Sequence, residues 1–129
     1  MTALNLSNIH KKYDKTTIIE NLSLEIASGE FIVLVGPSGC GKSTLLRMIA
    51  GLEMPDSGTL MMGDKDVTHL AAGKRSLSMV FQSYALYPHM TVRDNLAFGL
   101  RNIKTPADEI ARRIHRAAAM LKLDEMLDR

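Results

Sequence analysis

The sequence predicts an α/β fold, on three observations. The run Gly36-Pro-Ser-Gly-Cys-Gly41-Lys42-Ser43-Thr44 fits the phosphate-loop pattern G-x-x-x-x-G-K-[ST], between the apolar run Phe31–Val35 and the helix-like Leu45–Ala50. Leu4 and Leu6, then Leu22, Leu24 and Ile26, alternate with polar residues at the period of a half-buried strand. After Pro88 the pattern turns helical.

The alternating segments read as an antiparallel N-terminal sheet, and Ala27-Ser-Gly-Glu30 as a turn into Phe31–Val35. That run is apolar without interruption, which predicts a strand buried on both faces. A helix is expected from about Ser43 to Ala50, stopped by Gly51 in the left-handed position past its end. Pro55-Asp-Ser-Gly58 marks a turn, and Thr59–Met62 and Leu77–Phe81 read as further strands. Thr91-x-x-Asp94 and Thr105-Pro106-x-Asp108 read as helix starts, each with an acceptor at the cap and an acid three residues on. Ile110, Ile114, Ala117, Ala118 and Leu121 form an apolar stripe, with Arg112, Arg113 and Arg116 on a solvated face.

The chain has 129 residues, of which 46% are hydrophobic, enough for the core of one domain. Its net charge of +2, from 16 basic and 14 acidic residues, gives no reason to expect a nucleic acid partner. The apolar stretches fall well short of the roughly 20 residues that cross a bilayer, and Met1-Thr-Ala-Leu-Asn5 lacks a signal-peptide layout, so the expectation is a cytoplasmic chain. Cys40 is the single cysteine, which excludes an internal disulfide. His10, His69, His89 and His115 show no ligand spacing, and a histidine metal site is not expected.

The phosphate loop has a specific chemistry. Its glycines let successive N–H groups turn inward to phosphate oxygens, and the helix that follows adds unpaired N–H groups and a partial positive charge. Lys42 supplies a mobile cation for the terminal phosphates, and the Ser43 hydroxyl is placed to ligate Mg²⁺. Cys40 at the helix start has two readings: a thiol of lowered pKa that alkylates readily and then blocks the site, or a small side chain that suits a tight loop.

These residues resemble the ATP-binding subunit of ABC transporters, of the group that drives binding-protein-dependent sugar importers. The resemblance is carried by Tyr13 in Lys11-Lys-Tyr-Asp14, the loop, Leu45–Glu53, Pro55–Gly58, and Met79-Val-Phe-Gln82-Ser-Tyr-Ala-Leu-Tyr-Pro-His-Met-Thr-Val92. It implies a P-loop NTPase core with an N-terminal antiparallel β subdomain and the start of a helical subdomain, divided as 1–90 and 91–129. It further implies ATP and Mg²⁺ as ligands. Tyr13 would stack on adenine, with Gly36, Ser38, Gly39, Cys40, Gly41, Lys42, Ser43 and Thr44 around the phosphates. Gln82 would be the catalytic-site glutamine, reaching Mg²⁺ or the attacking water, and Ser43 and Gln82 would be the metal ligands. Tyr84–His89 would belong to the surface that receives transmembrane permease subunits. A second ATP-binding subunit would complete a dimer at the cytoplasmic face of the inner membrane, with an extracytoplasmic solute-binding protein as an indirect partner. Tyr84-Ala-Leu-Tyr87 leans the solute toward a sugar or glycerol phosphate.

The family's pattern also contains a Ser-Gly-Gly-Gln signature, a catalytic acid with a D-loop, and a switch histidine, none of which this sequence shows. Met120-Leu-Lys-Leu-Asp124-Glu125 imitates the catalytic acid but continues the helical stripe and is broken by Lys122. The expectation is a chain equivalent to about the first half of such a subunit, which binds Mg·ATP and turns it over little or not at all. Another phosphate-loop enzyme, such as a kinase or GTPase, and a non-catalytic nucleotide-dependent interaction module are the alternatives.

Overall fold

The computed structural model describes residues 2–129 and divides into two compact units, Met1–Met79 and Val80–Arg129. In the first, strands β1 (Leu4–Tyr13), β2 (Thr16–Ile26), β3 (Ser57–Met62) and β4 (Lys65–Asp66) form an antiparallel sheet ordered β2-β1-β3-β4. Helix α1 (Lys42–Ala50) packs Leu45 and Met48 into the core that Leu6, Ile9, Ile19, Leu60 and Val67 build from the sheet side. Full burial of such side chains stabilises by about 1.5–3 kcal/mol each.

Strand β1 does not keep one period throughout. Its register with β2 breaks between Leu6 and Ile9, and Asn8 there has φ 51°. Simple alternation from Leu4 and Leu6 would send Asn8, His10 and Lys12 inward. The irregularity moves the inward face by one residue, so Ile9 and Lys11 are the buried positions instead.

Helix α1 ends as expected at Gly51, whose φ is 76° and whose N–H bonds Met48 O. The buried side chain of Arg75, only 1% exposed, closes this end. Its Nε donates to Leu70 O (2.6 Å), Nη1 to Met48 O (2.6 Å) and Ile49 O (3.1 Å), and Nη2 to Thr68 O (3.2 Å). Burial pulls Arg75 below its usual pKa, and the carbonyls at a helix C-terminus are a favourable place for the charge. A Cβ at Gly51 would lie 2.5 Å from Arg75 Nε, so the glycine is required by space as well as by backbone conformation.

Two expected strands are absent. Phe31–Val35 is irregular and largely exposed, with Phe31 at 88% and Val35 at 89%; Leu34 alone of the run packs against the core. Leu77–Phe81 is likewise irregular. An extended segment becomes a strand only with ladder partners, and among the described residues neither segment has one.

In the second unit, α2 (Val92–Asn102) and α3 (Ala107–Leu121) bury Ala97, Ile114, Ala118 and Leu127 together. Thr91 caps α2: its hydroxyl accepts from Asp94 N at 3.1 Å and donates to the Asp94 carboxylate at 2.9 Å. That hydroxyl and then Arg101 hold Asp94 below the usual carboxylate range. The start of α3 differs from expectation, since Pro106 occupies the cap and no side chain bonds the first turn. Pro106 cannot donate, and its fixed φ suits the entry to a helix. Of the expected stripe, Leu121 is exposed, whereas Arg112 and Arg113 are solvated and pair with Glu109. Asp124 and Glu125 lie in a 3₁₀ turn after α3, not in a strand. No helix among the described residues is long and apolar enough to cross a membrane.

Candidate phosphate-binding site

The loop from Gly36 to Gly41 leads directly into α1 and is exposed up to Cys40. Gly41 sits at the N-cap with φ 92°, and a Cβ there would meet Ile18 and Ile19 of β2 at 3.1 Å. Glycine thus lets the end of the loop lie flat on the hairpin. No side chain caps α1 and its first turn holds no acid, so nothing on the helix competes for its N-terminal N–H groups. Ser43 is exposed and Thr44 half-buried in that first turn.

Lys42 curls back over the loop. Its Nζ donates to Gly36 O (2.7 Å) and Pro37 O (2.6 Å) and lies 3.4 Å from Cys40 Sγ. Among the described residues no carboxylate pairs with it. A full positive charge is therefore held by neutral acceptors beside the positive end of a helix, an arrangement that favours an incoming anion. Chemically it can bind phosphate oxygens, and the exposed Ser43 hydroxyl offers a hard oxygen ligand of the kind Mg²⁺ takes.

Tyr13, at the end of β1 and 43% exposed, pairs with Thr16 across the hairpin. Ile18 and Ile19, which abut Gly41, lie two and three residues further along β2 than Thr16. Beneath the ring is a network that sequence reasoning missed. Lys11 Nζ lies over it at 5.3 Å from the centroid, and bonds Met54 O (2.8 Å), Glu53 (3.0 Å) and Asp56 (3.3 Å). The Lys12 N–H donates to the other Asp56 oxygen at 2.8 Å. Burial opposes the charge of Lys11, but the bonds to Glu53 and Asp56 outweigh it and raise its pKa. The hydrogen bond from Lys11, against the cost of burial and with help from the Tyr13 hydroxyl, lowers Glu53; the Lys12 amide and then Lys11 lower Asp56. The only hint in the sequence was Lys11 two residues before the motif tyrosine.

Gln82 belongs to the second unit, exposed in a turn closed by Tyr84 N to Phe81 O at 3.1 Å. Tyr13 and the loop residues thus belong to one unit and Gln82 to the other. Tyr84 and Ala85 have φ of 62° and 50°, unusual for residues with side chains, and Tyr84 and Leu86 project into solvent. The following loop is anchored by Asn95, another residue missed from sequence. It accepts from Tyr87 N (2.8 Å) and donates to Tyr87 O (3.1 Å), Met90 O (3.2 Å) and Thr91 O (2.9 Å).

A profile described as "ABC transporter" matches residues 19–129. The chain belongs to the ABC transporter family. This ABC transporter chain is 57% identical over 130 residues to the sn-glycerol-3-phosphate import ATP-binding protein UgpC of Brucella abortus (strain 2308), covering 100% of the chain and 37% of the relative. UgpC of Rhizobium meliloti (strain 1021) matches at the same identity and coverage. The spermidine/putrescine import ATP-binding protein PotA of Marinobacter nauticus is 52% identical over 128 residues, covering 99% of the chain and 34% of that protein. The chain therefore spans little more than a third of the length of these relatives. Among solved structures, a post-hydrolysis dimer of the ATP-binding cassette MJ0796 bound to ADP and Pi aligns with a TM-score of 0.83 at 27% identity, over 97% of this chain and 60% of that one. The ATP-binding cassette MJ1267 of an ABC transporter aligns over all of this chain and 57% of its own, with a TM-score of 0.82 at 26% identity. The expected α/β cassette fold holds.

Proposed function

We propose that this chain is the nucleotide-binding part of the ATP-binding subunit of an ABC importer, and that it takes Mg·ATP on the loop preceding α1. The carrying observation is Lys42, a cation with neutral acceptors alone, next to an uncapped helix start. Gly36, Ser38, Gly39, Cys40, Gly41, Lys42, Ser43 and Thr44 cradle the phosphates, and Tyr13 gives the base an aromatic face. Such stacking contributes about 1–3 kcal/mol per base and tolerates any base, so it sets position more than identity.

The Ser43 hydroxyl would hold Mg²⁺, a hard cation suited to an oxygen ligand. Bound there, the ion would neutralise charge on the phosphates. Lys42 holds the terminal phosphates while the loop N–H groups fix their orientation. Gln82, on the second unit, carries an uncharged amide that can both accept and donate, the chemistry suited to a metal ion or a water. Phosphoryl transfer further needs a polarising acid, and Asp124-Glu125, in a turn beyond α3, does not supply one. The chain therefore binds nucleotide and hydrolyses it little.

In the intact subunit the exposed Tyr84–His89 stretch faces the permease subunits, with a second ATP-binding subunit opposite the phosphate loop. The subunit sits peripherally on the cytoplasmic face of the membrane, and solute reaches the permease from a solute-binding protein. The UgpC relatives favour glycerol phosphate or a sugar as the solute.

Calorimetric titration with Mg·ATP and Mg·GTP tests the reading. Heat of binding is expected for the wild-type chain and none for Lys42→Ala. Equal heats for the two proteins would refute it, and a strong preference for GTP would redirect it to another phosphate-loop class.

A further inference from the structure

The ion cluster under Tyr13 is costly to build and the phosphate chemistry does not use it. Lys11 reaches the inner face of the sheet only because β1 slips by one residue at Asn8. There it is just 8% exposed, and bonds to Met54, Glu53 and Asp56 satisfy its ammonium group. Its partners lie in the segment that follows α1, the helix whose other end carries the phosphate loop. Lys11 and Tyr13 lie two apart on β1, across a register irregularity between Lys11 and Lys12, and the ammonium lies over the ring at 5.3 Å from its centroid.

We propose that Lys11 is a positioning residue for the nucleotide base: clamped by Glu53, Asp56 and the Met54 carbonyl, its ammonium holds one face of the Tyr13 ring and presents the other to the base. This rests on the nucleotide reading and deepens it. A tyrosine on a hairpin end has rotamer freedom that a stacking base would have to remove on binding. A fixed cation against the ring removes it beforehand. The cluster also ties the ring to the segment after α1, so the base platform and the phosphate loop are referred to the same helix.

Calorimetry on the full chain with two probes, Mg·ATP and Mg·tripolyphosphate, isolates the base. Lys11→Met keeps the apolar stem and removes the ammonium; it is expected to weaken ATP about three- to tenfold and leave tripolyphosphate unchanged. In a Tyr13→Ala background the same substitution should do nothing further, because the ring through which Lys11 acts is gone. Asp56→Asn, which loosens the clamp and leaves the cation, should lower the ATP-to-tripolyphosphate ratio by a smaller factor; it stands in should Lys11→Met fail to fold. Glu53→Gln should lower it more than Asp56→Asn does, because Glu53 also accepts from the Tyr13 hydroxyl. If Tyr13→Ala lowers the ratio and neither Lys11→Met nor Asp56→Asn does, the role of Lys11 is overturned and the base platform stands. If Tyr13→Ala leaves the ratio unchanged, the platform fails and the role of Lys11 falls with it. Absence of binding to either probe by the wild-type chain refutes the nucleotide reading itself.

Discussion

Two lysines on the same unit show how one charge can serve opposite ends. Lys11 is buried among two carboxylates and a carbonyl, whereas Lys42 rests on two carbonyls and a thiol with no counter-charge. A cation paired with anions is already neutralised and contributes mainly to structure. A cation beside neutral acceptors and a helix N-terminus keeps its attraction for an anion. The contrast teaches that the counter-charge, more than exposure, separates the scaffold from the site.

The sharpest way to break that contrast is to exchange the effects. Lys42→Ala should weaken Mg·ATP binding by on the order of 100-fold or more, by calorimetry, and leave the melting temperature nearly unchanged. Alkylation tests the same loop. N-ethylmaleimide at Cys40, 3.4 Å from Lys42 Nζ, should block nucleotide binding, and prior Mg·ATP should protect the thiol. Equal labelling with and without ATP, followed by mass spectrometry, would separate the thiol from the site. Lys11→Met, beside its effect on the base, should lower stability by about 2 kcal/mol in thermal or urea unfolding, because Glu53 is left without its cation.

The smallest effect expected is on pH. Glu53 and Asp56 are held below their ordinary values of 4.5 and 3.8, so their contribution to stability is complete above those values. It is lost as pH falls through their lower folded values. Lys11, raised above 10.5, behaves in the opposite sense, and its contribution disappears only as pH climbs past its folded value. A melting temperature flat from pH 6 to 9 and declining below about pH 4.5 is expected for the wild type. A gentler acid decline in Lys11→Met would tie the effect to this cluster.

Much of this was legible in the sequence because the signals were local. Thr91 with Asp94 and Gly51 after Ala50 each marked a helix end within a few residues, and the leucines of β1 and β2 showed a sheet face by alternation. The phosphate loop was readable for the same reason, since its whole machinery lies between Gly36 and Thr44. What escaped depended on distant partners. Phe31–Val35 has the composition of an inner strand, yet a ladder requires a neighbour that composition cannot supply. Lys11 meets residues more than 40 positions away, after a register slip that no periodicity announces. Arg75 carried no signal in the sequence, because its oxygen acceptors are backbone carbonyls and every sequence has those.

That last property shapes which changes the protein tolerates. The oxygens held by Arg75 belong to the main chain at residues 48, 49, 68 and 70, so side chains at those positions can be exchanged for others of similar bulk with every bond intact. The donor has no such latitude. A lysine offers three protons from a single point where the guanidinium spreads five across a plane, and it could not span four carbonyls lying in different directions. Evolutionary drift is thus open to the acceptors and closed to the donor.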